Sequence, residues 1–225
     1  MRFLLCLLLF VTIGFSQTKP LIMKHADSLA AMKRSGYLLL KGYVHFVHDS
    51  VQFKTMRATW NRNADIVQCE GDFLFTHPNG FIKAKSGIYQ KRIEFASASG
   101  NVVAKDSLGE YAFFGERLQY DRIKKILTMP LRPVLHHYSK NKDKNGEIDT
   151  LSIKADWISY KQDDEFAEAF KNVVLEHNGM TVTCDTGYFN KKENWISMKG
   201  NPKCLLENHE LSGDSIFLRL TPDGK

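Results

Sequence analysis

The chain has 225 residues, of which 43% are hydrophobic, 12% aromatic and 25% charged, and its net charge is +6. That length suits one elongated domain or a repeat array. The lysines and arginines are spread among turn-like segments rather than gathered in one stripe, which argues against a nucleic-acid partner.

Met1-Arg2 supplies a positive charge, Phe3 to Phe15 is an almost unbroken apolar run, and Ser16-Gln17 follows. This is the form of a secretory signal peptide, assigned to residues 1–16. The run is short for a bilayer-spanning helix, which needs roughly 17–25 residues, so a cleaved signal is favoured over an anchor helix. Cys6 lies too early in the run to be a lipoprotein cleavage cysteine. Residues 17–35 read as a lead-in. They hold either a degenerate first repeat beginning at His25-Ala-Asp-Ser-Leu29 or a short capping helix from Ala26 to Arg34.

A repeat governs residues 36–220. Gly42-Tyr-Val-His-Phe, Gly71-Asp-Phe-Leu-Phe and Gly100-Asn-Val-Val-Ala start alike at intervals of 29 residues, and Lys171-Asn-Val-Val-Leu and Gly200-Asn-Pro-Lys-Cys repeat the interval. A second series runs out of phase: Phe53-Thr55-Trp60, Ile82-Ala84-Tyr89, Phe113-Gly115-Tyr120, Ile153-Ala155-Tyr160, Val182-Cys184-Phe189 and Leu211-Gly213-Leu218. Its one long interval contains the charged stretch 139–149, which reads as an inserted loop. Within each repeat the apolar residues alternate, as at Phe73 and Phe75 or Val173 and Leu175, which is the period of a strand with one buried face. Asn79-Gly80 and Asn178-Gly179 mark tight turns. A further apolar column, Ile66, Phe95, Ile126, Phe166 and Trp195, stands five residues before each repeat start. No repeat can bury its apolar face alone, so stacking is predicted to line equivalent residues into ladders around one core. After the signal, Cys69, Cys184 and Cys204 remain. An odd number cannot complete a disulfide framework, and they read as small buried hydrophobes, with a single disulfide as the alternative.

The recurring Gly-Asn-Val-Val unit, the 29-residue rhythm, and Ala155-Asp-Trp-Ile-Ser-Tyr160, Cys184-Asp-Thr-Gly-Tyr-Phe189 and Gly213-Asp-Ser-Ile-Phe-Leu218 resemble the OstA-like (LptA-like) family over about Gly36 to Leu220. Arg132-Pro133, Lys85-Ser86 and the insertion 139–149 depart from its pattern. The resemblance implies an all-β, repeat-built β-taco, or incomplete β-jellyroll, of stacked antiparallel strands. It also implies a periplasmic protein that shields the acyl chains of lipopolysaccharide, or lipid A, between the inner and outer membranes. Partners would be related β-taco domains joined through edge strands, or further copies of the chain.

On that expectation the groove lining comprises Phe46, Phe53, Trp60, Phe73, Phe75, Ile82, Phe95, Phe113, Ile126, Ile153, Ile158, Phe166, Val173, Val182 and Trp195. The same residues would equally be packed core in a closed sandwich. Enzymatic function is not expected. Asp156, Asp185 and Asp214 recur once per repeat, which points to a turn role rather than a unique acid–base pair, and no nucleophile elbow, nucleotide loop or His-Glu-x-x-His is present. His48, His77, His137 and His177, with Asp106 in the same column, owe their spacing to the repeat, so neither metal nor cofactor is expected. Two alternatives accompany the carrier reading: a membrane-tethered partner of the inner-membrane lipopolysaccharide transporter, and an envelope scaffold that carries nothing. Residues 221–225 form a tail.

Overall fold

The computed structural model describes residues 19–32, 36–142, 148–207 and 209–219. The expected signal peptide, the middle of the 139–149 insertion and the tail lie outside the described residues. The eighteen strands among the described residues belong to one antiparallel sheet. They are β1 (Ile22–His25), β2 (Ser28–Ala31), β3 (Tyr37–His48), β4 (Val51–Asn61), β5 (Ile66–His77), β6 (Gly80–Gln90), β7 (Phe95–Asp106), β8 (Tyr111–Asp121) and β9 (Ile126–Pro130). There follow β10 (Val134–Lys142), β11 (Ile148–Lys154), β12 (Trp157–Lys161), β13 (Phe166–His177), β14 (Met180–Asn190), β15 (Trp195–Lys199), β16 (Lys203–Leu206), β17 (His209–Ser212) and β18 (Ser215–Arg219).

The sheet is folded lengthwise into two walls. One wall holds residues such as 37–41, 57–61 and 66–70, and the other holds 44–48, 51–55 and 73–77. The fold line is the repeat start. Two consecutive residues there take positive φ: Gly42 and Tyr43, Gly71 and Asp72, Gly100 and Asn101, Leu131 and Arg132, Lys171 and Asn172, Gly200 and Asn201. On β3 the register breaks between Lys41 and Val44, while the partner residues on β4 are Arg57 and Thr55. Two residues thus oppose one, a β-bulge that bends the sheet, and it recurs in every repeat. Glycine takes the first position in four of the six corners because a side chain is strained at that φ.

The second sequence series follows from the same corner. Its small residue faces the inside of the bend, where the walls converge: Ala84 and Ala155 are buried, and a Cβ added at Gly115 would lie 2.9 Å from Met129 Cε. Thr55 fits because its hydroxyl donates to the Gly71 carbonyl at 2.8 Å. At three corners the residue after the small one is an aspartate whose backbone N–H ties the bend. The Asp156 N–H donates to the Lys171 carbonyl at 2.9 Å, and that of Asp185 to the Gly200 carbonyl at 3.2 Å. Asp27 does the same to Gly42 at 3.0 Å, so Ala26-Asp27 is a corner too, and Ile22–Ala31 is built as the first repeat, in strands rather than as a capping helix. The charged insertion is strand at both flanks, with Lys142 paired to Ile148, rather than loop throughout. Cys69, Cys184 and Cys204 are buried free thiols, and burial pushes the Cys69 and Cys184 thiols up.

Candidate functional site

The inward faces of the two walls form one continuous apolar interior. Its spine is aromatic. Trp60 meets Phe46 edge-on at 5.3 Å, Phe46 stacks on Phe53 at 5.1 Å, and Tyr89 lies 5.1 Å from Phe53 and 5.9 Å from Phe75. Farther along, Tyr160 sits 5.6 Å from Phe113, and His137 sits 5.7 Å from Phe189. Phenylalanines of one wall thus interlock with tyrosines of the other, and each fully buried ring contributes about 1.5–3 kcal/mol.

Opposite the corner the walls end in polar tips. Among the described residues no backbone hydrogen bond joins the tips of one wall to those of the other; side chains do so. Arg122 reaches across to Asp49 at 2.5 Å and also holds Glu94 at 2.9 Å. Lys191 crosses to Glu110. Beneath the first tie, His48 Nδ1 lies 2.5 Å from the Tyr89 hydroxyl. Lys19 and Arg122 hold the Asp49 carboxyl well below the usual carboxylate range, while burial lowers His48.

These ties are staggered. Asp49 sits between β3 and β4, and Arg122 between β8 and β9, five strands further along the stack. Glu110 and Lys191 are again five strands apart, counting β9/β10 and β11/β12 each as one bent strand. Sheet twist accounts for the offset. It also leaves the first wall uncovered at the start of the stack and the second wall uncovered at its end. The inward-facing residues there are exposed: Leu29 by 51%, Leu206 by 46% and Leu211 by 59%.

Of the fifteen residues read as lining, Phe46, Phe53, Phe73, Phe75, Ile82, Phe113, Ile153, Ile158, Val173 and Val182 are buried in the interior, and Trp60 packs against it partly buried. Phe75, Ile82 and Phe113 border a cavity of about 70 Å³ at the mouth, and Ile153, Ile158 and Val173 border one of about 10 Å³. Phe95, Ile126, Phe166 and Trp195 are elsewhere. Their next neighbours Ala96, Leu127, Ala167 and Ile196 point inward, so by strand alternation these four stand on the outer face. There Phe166 contacts Tyr188 and Trp195, both at 6.1 Å, and Trp195 contacts Phe217 at 5.8 Å. The lining reading omitted Tyr89, Tyr111, Tyr120, Tyr160 and Phe189. All but Tyr111 share the Trp60 column, five residues after the small corner residue, and that spacing was the signal for them.

The histidine column is absorbed into local contacts: His48 with Tyr89, and His177 Nε2 with Asp149 at 2.9 Å. No three His, Cys, Asp or Glu side chains are placed to hold a metal ion among the described residues. No helix among the described residues is long and apolar enough to cross a membrane.

Fold and interior together define an all-β incomplete jellyroll with an apolar slot closed at its mouth by side chains. No family model and no curated protein matches the sequence. Among solved structures, the chain is similar to LptH from Pseudomonas aeruginosa, described as the LptA-homologous periplasmic component of the conserved lipopolysaccharide transport device. The likeness has 17% identity and a TM-score of 0.44, and covers 59% of this chain and 94% of that one.

Proposed function

We propose that this chain is an exported, periplasmic lipid-binding protein that shields the acyl chains of lipopolysaccharide between the inner and outer membranes. The observation that carries the reading is the mouth. The walls are joined covalently and by backbone ladders around the corner, but only by side chains at the tips. An interior closed in this way opens by parting side-chain contacts, namely the Arg122 and Lys191 ion pairs, the His48–Tyr89 hydrogen bond and the ring contacts beneath them, rather than by breaking a sheet.

The mechanism is partition, not chemistry. Each methylene moved from water into the interior gains about 0.8 kcal/mol, so several chains together hold a lipid across a short aqueous gap. Among the described residues the buried His48 and Thr55 are hydrogen-bonded within the protein, and the two buried polar atoms without a partner, Trp60 Nε1 and the Tyr111 hydroxyl, carry no charge that would hold a headgroup and oppose sliding. The uncovered interior at both ends, together with the terminal strands, suits edge-to-edge joining with a related domain or a second copy, which would continue the slot.

The test is to purify the protein without detergent from cells that make lipopolysaccharide and extract what is bound. Lipid A-containing species are expected with the wild type and are expected to diminish with Val182→Glu, which places a carboxylate in the interior. Protein free of lipid A that also takes up none when incubated with lipopolysaccharide contradicts the reading.

A further inference from the structure

The outer face of the second wall over β3–β7 is both basic and apolar. In the row of cross-strand neighbours nearer the corner, Lys54 and Lys83 alternate with Leu74 and Val103. In the row nearer the tips, Phe81 and Lys105 are neighbours. Leu74, Phe81 and Val103 are partly exposed, and the three lysines fully so. Lys54 and Lys83 hold one position of the 29-residue repeat, directly before the small corner residue, and strand parity turns that position outward.

Among the described residues, Lys54, Lys83 and Lys105 form no ion pair, and no carboxylate shares this stretch of the face with them. Elsewhere the charges are balanced. Lys154 holds the same repeat position in the second half but is paired with Glu176 at 2.8 Å. On the first wall, over the same strands, Arg57 is paired with Glu70 at 3.6 Å. Lys54 and Lys83 stand two strands apart, about 10 Å, which is near the screening length at physiological salt, so they repel one another. Unpaired cations call for an anionic partner, and the apolar side chains between them call for one that also accepts hydrocarbon. An acidic polymer meets only the first demand and an uncharged apolar surface only the second. The headgroup region of an anionic bilayer meets both: lysine heads reach the phosphates while their stems and the neighbouring apolar side chains lie against the acyl boundary.

We infer that the outer face of the second wall over β3–β7 docks on the surface of an anionic phospholipid bilayer. The contact is peripheral and separate from the slot, and the interior between the walls takes no part in it. The inference stands apart from the lipid-shielding reading, since it concerns the membrane on which the protein rests and not a lipid held inside it.

The test is co-sedimentation with vesicles free of lipopolysaccharide, using the chain from Gln17 onward, because the apolar run Phe3 to Phe15 would itself enter a bilayer. Vesicles of phosphatidylglycerol and phosphatidylcholine in equal parts are expected to capture the protein at low salt, and vesicles of phosphatidylcholine alone to leave it in solution. Lys54→Glu with Lys83→Glu is expected to weaken capture about 10-fold or more, since each lysine at an anionic surface contributes about fivefold. Lys41→Glu with Arg117→Glu makes the same change of net charge on the first wall and is expected to bind as the wild type does. Leu74→Ser with Val103→Ser is expected to weaken capture about 3-fold through lost apolar contact. Circular dichroism confirms that each variant is folded. A wild type that ignores the anionic vesicles, equal losses in the two charge-reversed pairs, no loss in the serine pair, or polyglutamate bound as tightly as the vesicles overturns the inference. Because no lipopolysaccharide is present, that failure leaves the lipid-shielding reading in place.

Discussion

The two halves of the stack are built from one repeat, yet they distribute most of their aromatic residues differently between the two faces. In the first half the rings are inside: Phe46, Phe53, Phe73, Phe75 and Tyr89 fill the interior, while Ser97, Ser99, Gln68 and Gln119 look outward. In the second half the interior is largely aliphatic, with Val173, Val182, Ile196 and Met198. There Trp157, Phe166, Phe170, Tyr188, Trp195 and Phe217 form a continuous outer chain of ring contacts. The exchange occurs around β9 and β10, where Leu131-Arg132 replaces the glycine corner. Strand parity, not residue type, decides which face is buried. The first half is consequently locked by interdigitated rings under the Arg122 tie, and the second opens onto exposed Leu206 and Leu211.

That contrast sets an order of effects. Removing a ring from the locked half should cost most: Phe53→Ala is expected to lower stability by about 3–5 kcal/mol in urea unfolding. A loss below ~1 kcal/mol there would show that the half is looser than its packing indicates.

Equivalent glycines sharpen the comparison. A Cβ at Gly87 would lie 2.4 Å from the Phe73 ring, whereas one at Gly187 would lie 3.3 Å from Val173 Cγ1. Gly87→Ala should therefore cost about 1–3 kcal/mol from overpacking. Gly187→Ala should cost distinctly less, and thermal unfolding of the pair would show equal losses only if both halves were packed alike.

Acid should weaken the locked half as well. Burial lowers His48, and it lowers His77 and His137 too. Each then takes up its proton more readily in the unfolded chain, so its effect is absent above the ordinary value of about 6.5 and stability falls as pH drops below it. The Asp49 carboxyl, depressed by Lys19 and Arg122, titrates far lower, so its tie survives the same change. The unfolding midpoint is expected to fall between pH 7 and pH 5, and His48→Gln to flatten that slope. The smallest effect belongs to the open end: Leu211→Ser should change stability by no more than about 0.5 kcal/mol while reducing self-association or joining to a partner domain.

The sequence made the fold readable because the corner demands are local and recur. A residue at positive φ and a small residue inside the bend recur at intervals near 29 residues, and an aspartate follows the small residue at Asp27, Asp156, Asp185 and Asp214 but not at Met56, Lys85 or Glu116. The lining was readable only in part. Phe95, Ile126, Phe166 and Trp195 are as apolar as Phe73, but they sit one residue out of step with the buried alternation, and regular spacing alone does not reveal that. The ties were not readable at all. Arg122 and Asp49 are 73 residues apart and meet only because the two twisted walls cross with a five-strand offset.

The central claim is that the inner face, and not the outer one, meets the lipid. Photo-crosslinking to lipopolysaccharide from adjacent residues tests it most directly: Phe113 against Phe114, Ile158 against Ser159, and Val182 against Thr183, the first of each pair inward and the second outward. Crosslinks from Phe113, Ile158 and Val182, with none from their neighbours, are the predicted result. Crosslinks from the outward residues alone, or from none of the six in folded protein, would contradict it.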